Sequence, residues 1–158
     1  MFKSNKLWGF IGAFVLIFLL YYSFFYSPNV PTASINIENK SYELKAKDYD
    51  YSAFGKGTTK NFYFKSVNEL NTHLQNEPEL IVQSNHPITY KNNASTDATN
   101  VSIYNVDENV YLRGETESTV QTITKPGHYI IQYLSEFETG KIATYYVRIR
   151  VVNYYKNY

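Results

Sequence analysis

Apolar positions along this chain fall into two regimes. From Leu7 to Tyr26 they run almost unbroken, as LWGFIGAFVLIFLLYYSFFY, twenty residues without a charge. After Ser34 they shrink to short runs in which apolar and polar residues alternate, with polar turns between them. The first regime predicts a membrane-spanning helix. At about 1.5 Å per residue it reaches roughly 30 Å, the thickness of a bilayer core. Twelve of the twenty residues are Leu, Ile, Val or Phe, which favours insertion by about 4 to 7 kcal/mol. Trp8 stands at one end and Tyr21, Tyr22 and Tyr26 at the other, where an aromatic belt would place them.

The second regime predicts strands. Ile35 and Ile37, a turn at Glu38-Asn39-Lys40, then Tyr42 and Leu44 read as a hairpin. Residues 45–60 are polar, with Gly55 and Gly57, and read as loop. Asn61 to Lys65 reads as a short aromatic strand. Ser66-Val67-Asn68-Glu69 fits a capping box, with Val67, Leu70 and Leu74 on one helical face and Pro78 as a stop, so a helix is expected over 66–77. From Glu79 onward, alternating runs recur at 79–84, 87–91, 101–106, 110–113, 120–124, 128–137 and 141–153. Seven short strands with polar turns between them predict a sandwich. In the last strand Tyr145, Val147, Ile149 and Val151 share one face, and Tyr146, Arg148 and Arg150 the other. Strict alternation predicts one buried face and one wet face. Glu138-Thr139-Gly140 supplies the turn of a long C-terminal hairpin.

Flanking charge sets the expected orientation. Lys3 and Lys6 precede the apolar segment, no acidic residue does, and the next cation is Lys40. The positive-inside rule then places residues 1–6 in the cytoplasm and the body of the chain outside. Residues 7–26 form the anchor, with Leu7, Trp8, Phe10, Ile11, Phe14, Leu16, Phe18 and Leu20 facing membrane lipid. Residues 27–33 form a short extended linker, 34–78 a hairpin, strand and helix, 79–154 the sandwich and 155–158 a tail. Whether 34–78 adds strands to the sandwich or packs against it as a small subdomain is left open by the pattern. A cleaved signal peptide is the competing reading of the N-terminus, but its apolar region is normally shorter and no small-x-small cleavage site stands out. A type IV pilin stem would carry an acidic residue early in the apolar stretch, and none is present.

Composition narrows the function classes. With 158 residues the chain has room for one domain beyond the anchor, and 17 Tyr and 10 Phe are too many for a disordered protein. There is no cysteine, hence no disulfide, thiol nucleophile or thiolate metal site. All 14 acidic and 13 of the 15 basic residues lie after residue 27, so the outer part nets −1 and offers nucleic acid no basic surface. Abundant Lys, Asn, Ile and Tyr with little Ala and no Cys suggest a low-GC Gram-positive bacterium or one of its mobile elements, where Asn39-Lys40-Ser41, Asn93-Ala94-Ser95 and Asn100-Val101-Ser102 carry no meaning as glycosylation sequons.

Lys125-Pro126-Gly127-His128-Tyr129-Ile130-Ile131, followed by the Gly140 turn and a β-rich closing strand, resembles the end of bacterial surface immunoglobulin-like domains. The resemblance covers residues 124–152. It implies an immunoglobulin-like sandwich used for display, spacing or binding, with Tyr129 in the place of a tyrosine corner and Ile131 where antibody-type domains have a cysteine. Lys125 stands where such segments often carry Asp, and no Trp stands in the third strand.

Chemistry-bearing residues are sparse. His73, His86 and His128 lack the pairing of a zinc site. Asp48 and Asp50 have the one-apart spacing of a calcium loop without its closing Glu. Asp107-Glu108 and Glu115/Glu117 read as solvated strand ends. No nucleophile elbow, phosphate loop, dinucleotide fingerprint or H-E-x-x-H occurs. No catalytic residue, cofactor or metal is therefore expected. Most of the aromatic residues suit sheet packing. Tyr154, Tyr155 and Tyr158 run past the final strand and are the candidate interface. The expectation is a membrane-anchored binding or scaffold protein contacting a protein or cell-wall partner. A subunit of a secretion- or conjugation-type membrane complex is the alternative, and an envelope hydrolase a third.

Overall fold

The computed structural model describes residues 3–116, 119–138 and 140–153. Helix α1 (Lys3–Phe25) carries the apolar run and touches the rest of the chain at its C-terminal end, where Tyr22 and Ser23 meet Phe54 and Lys56. Eleven strands follow among the described residues. Strands β1 (Ala33–Ile37) and β2 (Lys40–Leu44) form the expected hairpin, with positive φ at both Glu38 and Asn39 as a type I′ turn requires. Strands β3 (Asp48–Ala53) and β4 (Lys56–Lys60) form a second hairpin where a loop was expected. Tyr49 and Tyr51 alternate with Asp48, Asp50 and Ser52 and pack toward the core, and Phe54-Gly55 closes the turn with φ of 52° and 77°.

Segment 61–65 is not a strand. Phe62 and Phe64 point inward and Tyr63 outward, but no strand pairs with them. Helix α2 (Val67–His73) is shorter than the span 66–77. Ser66 caps it, its Oγ accepting from the Glu69 amide at 3.2 Å. Glu69 reaches one residue further back than a capping box requires, accepting from the Lys65 amide at 2.7 Å. Asn71, Thr72 and His73 are weak helix formers, and the chain leaves the helix at Leu74, before Pro78 is reached.

The remaining strands are β5 (Glu79–Gln83), β6 (Ile88–Asn92), β7 (Ala98–Asn105), β8 (Val110–Thr116), β9 (Val120–Gln121), β10 (Gly127–Phe137) and β11 (Lys141–Val152). They assemble with the first four into two sheets, ordered β2-β1-β6-β9 and β4-β3-β11-β10-β7-β8. Strands from residues 33–60 thus belong to the same two sheets as those from 79–152. Nearly all pairings are antiparallel. The exception is β5, which runs parallel to β11 over Arg148–Val152, so the sandwich is not purely antiparallel.

Ile35, Ile37, Ile88 and Tyr90 from the smaller sheet meet Tyr129, Ile131, Tyr133, Tyr145, Val147 and Ile149 from the larger. The opposite face of the larger sheet is only partly wet. Helix α2 covers it, packing Val67, Leu70 and Leu74 on Tyr104, Ile130 and Tyr146. Tyr146, expected on a wet face, is therefore buried. The segment before β1 is held down: the Tyr145 hydroxyl donates to the Pro31 carbonyl at 2.7 Å, and the Asn93 amide to the Thr32 carbonyl at 3.0 Å.

Candidate functional site

Two features of the surface stand out, the exposed apolar helix α1 and a cleft between the sheets. Trp8–Phe25 has a mean hydropathy of 2.0 and none of it is buried against the domain, so the helix is long and apolar enough to cross a membrane. Trp8, Phe10, Ile11, Phe14, Leu16, Phe18 and Leu20 are all exposed. The side chains of Lys3, Lys6 and Leu7 lie outside the described residues, although their backbone is part of α1. Tyr154, Tyr155 and Tyr158 also lie outside them.

The cleft, of about 630 Å³, opens where the larger sheet is interrupted. One edge of β11 is covered by β3 over Ile142–Thr144 and by β5 over Arg148–Val152. Residues 145–147 fall between these two partners. Opposite this gap runs β2, the outermost strand of the smaller sheet. Tyr42 and Leu44 line one wall, Leu80 and Val147 the other. Lys47 and Glu77 form an ion pair at the rim. Arg148 is fully engaged: its guanidinium donates to the carbonyls of Gln75 and Glu77 at 3.2 Å each, and approaches Glu79 at 3.7 Å.

The charged groups are thus tied to neighbouring chain. His128 Nδ1 lies 2.9 Å from Glu79 Oε1. Asp107 accepts from the His128 amide at 2.8 Å, and Glu108 pairs with Lys125, whose pKa is raised first by that hydrogen bond and then by the charge of Glu108. Asp50 accepts from Thr59 Oγ1 at 3.1 Å. Partial burial raises the Asp48 pKa against a hydrogen bond from the Phe62 backbone. Glu117 and the side chain of Glu115 lie outside the described residues. Among the described residues no three His, Asp or Glu converge as metal ligands. The arrangement can bind: it has an apolar floor, paired charges at the rim, and the free edge of β2, which could take an added strand.

Tyrosines at the centre of the sandwich pack as expected, whereas Phe54, Tyr63 and Tyr111 are exposed. Tyr90 and Tyr133 stack with centroids 4.2 Å apart, and Tyr145 lies beside them. Pattern reading missed the cleft, because it arises from a break in pairing along one strand edge, and alternation does not encode that. No protein-family model, curated protein or solved structure matches the chain.

Proposed function

We propose that this protein is a single-pass, membrane-anchored binding protein that holds an immunoglobulin-like sandwich on the outer side of the cytoplasmic membrane. The observation that carries the reading is α1: an apolar span with none of its residues buried, attached to a domain whose core closes without it. Exposing that much apolar surface to water is unfavourable, and lipid removes the cost. Lys3 and Lys6 ahead of the span favour a cytoplasmic N-terminus. Two features support the immunoglobulin-like reading. They are the bond from the Tyr129 hydroxyl back to Lys125, and a second sheet, packed on the first, in which β6 pairs with β9.

The role is non-catalytic, contact with a protein or cell-wall partner. Membrane fractionation and C-terminal reporter fusions test the anchor and its orientation. A reporter after Tyr158 should be active outside the cytoplasm, with the protein resisting alkaline extraction. A shortened protein free in the medium, or a reporter active only in the cytosol, would refute the reading. Cross-linking on intact cells, followed by recovery of the full chain, should capture a protein or glycan.

The alternative, a subunit of a membrane complex, is favoured by Gly9 and Gly12. Nothing lies within 4 Å of the position a side chain would take at either, so a neighbouring helix could approach closely. Replacing both with Leu should then dissolve the complex while leaving membrane insertion intact.

A further inference from the structure

The β3–β4 hairpin projects a side chain that the domain does not use. Phe54, at the first position of the turn, is 83% exposed. Its φ of 52° is tolerated poorly by a side chain branching from the main chain, yet an aromatic residue stands there. The tip rests against the outer end of α1. The Tyr26 ring meets Phe54 edge-on with centroids 6.2 Å apart, and the Tyr22 hydroxyl donates to the Phe54 carbonyl. The Lys56 ammonium donates to the Ser23 carbonyl and sits 5.6 Å from the centroid of the Tyr22 ring. Tyr22, Ser23 and Tyr26 mark the end of the apolar span, where Phe24 and Phe25 are also exposed.

We propose that this hairpin tip is a second membrane contact, with Phe54 entering the boundary between headgroups and acyl chains of the outer leaflet and Lys56 reaching the lipid phosphates. The proposal rests on the anchor reading above, because the depth of the tip is fixed by the residues of α1 that it touches. Tyrosines at the end of a spanning helix sit at headgroup level, so a side chain in ring contact with Tyr26 sits there too. The charge pattern suits that depth. From Tyr51 to Lys60 there is no carboxylate, and Lys56 and Lys60 are the charged residues. An aromatic wedge with a lysine beside it is the chemistry that binds phosphate-bearing lipid surfaces. Because residues 31 and 32 are also bonded to the domain, the sandwich would stand at a set tilt on the membrane instead of swinging on a free linker.

The absence of cysteine makes the test direct. Single cysteines are placed in the full-length protein at Phe54, at Phe14 in the middle of α1, and at Thr122. Thr122 is exposed next to the Thr124 carbonyl that Ser84 engages, at the end of the sandwich where β11 finishes. Each is labelled with an environment-sensitive fluorophore and reconstituted into phosphatidylcholine–phosphatidylglycerol vesicles containing quencher lipids at headgroup or mid-chain depth. The Phe54 probe should be blue-shifted and quenched most from headgroup depth, the Phe14 probe most from mid-chain depth, and the Thr122 probe by neither. G57C, which keeps Phe54, should behave like F54C, and adding Phe54→Asp should return its emission to that of water. A Phe54 probe that matches Thr122 while Phe14 is quenched overturns the hairpin contact and leaves the anchor standing. If Phe14 also escapes quenching, the anchor reading fails and the hairpin contact falls with it.

Discussion

The Tyr129 hydroxyl donates to the carbonyl oxygen of Lys125 across 2.9 Å, closing the corner that leads into β10. Beside it, Gly127 has a φ of 152°, and a Cβ there would lie 2.9 Å from Asp107 Oδ2. That carboxylate oxygen is already held by the His128 amide. The Y129F variant removes one hydrogen bond and should lose about 1 kcal/mol. Gly127→Ala adds backbone strain and displaces Asp107, so it should cost more, about 1–3 kcal/mol. Urea unfolding of the full chain in detergent, followed by near-ultraviolet circular dichroism, measures both. Equal, negligible losses would mean that the corner does not hold the entry to β10.

Tyr90 and Tyr133 stack in the core with opposite polar fates. The Tyr90 hydroxyl shares a hydrogen bond with Ser135 at 2.7 Å and receives another from Asn92 at 3.0 Å. The Tyr133 hydroxyl is buried with no partner among the described residues. Burying an unpaired hydroxyl costs about 1–3 kcal/mol, while a satisfied one contributes about 1. Y133F should therefore be neutral or stabilising, and Y90F destabilising by about 1–2 kcal/mol. The difference in sign between two stacked rings is the test, read from paired urea midpoints.

How much of this was legible depended on whether the signal was local. Residues 79–152 could be read as strands because each apolar run alternates cleanly and ends in polar turns. The Ser66 cap was legible for the same reason, since it is a contact between residues three apart. The β3–β4 hairpin was hidden because Asp48, Asp50 and Ser52 dilute the alternation of Tyr49 and Tyr51, and the two glycines look like loop. Phe62 to Phe64 are aromatic as strand residues often are, but nothing in a sequence says whether a partner strand is present. Tyr146 looked wet because its neighbours on that face, Arg148 and Arg150, are charged. What covers it is α2, more than seventy residues earlier. The cleft was invisible because it depends on β3 and β5 sharing one edge of β11 without meeting.

Burial of so many phenols couples stability to alkaline pH. Burial raises Tyr90 from 10.0 to about 12, with its bonds to Ser135 and Asn92 acting in the opposite direction. Burial raises Tyr133, Tyr145 and Tyr146 as well. Below pH 10 the phenols are protonated in both folded and unfolded chains, and their contribution is fully present. Above it the unfolded chain releases protons that the fold retains, so stability falls as pH rises from 10 through about 12. Tyrosinate absorbance should rise in two phases, the second coinciding with loss of the β-sheet signal. A single titration near pH 10 with the sheets intact would contradict this.

Arg148 fastens the end of α2 to β11. Its guanidinium donates to two carbonyls, of Gln75 and Glu77, and faces Glu79, so two groups from the segment after α2 and one from the start of β5 converge on one planar cation. A lysine has the charge but a single nitrogen, whereas the guanidinium holds both carbonyls with Nη1 while Nη2 faces Glu79. Arg148→Met should leave those carbonyls without their protein donor and cost about 1–3 kcal/mol, and Arg148→Lys should recover little of it. The loss should be local before it is global. Hydrogen exchange in residues 74–77 should speed up in both variants, while amides in the β10–β11 ladder keep their protection. Because Glu77 and Arg148 also line the cleft, loosening this segment should weaken capture of the partner in the cross-linking experiment. Unchanged exchange in 74–77 would mean that the Val67, Leu70 and Leu74 contacts hold α2 without help from Arg148.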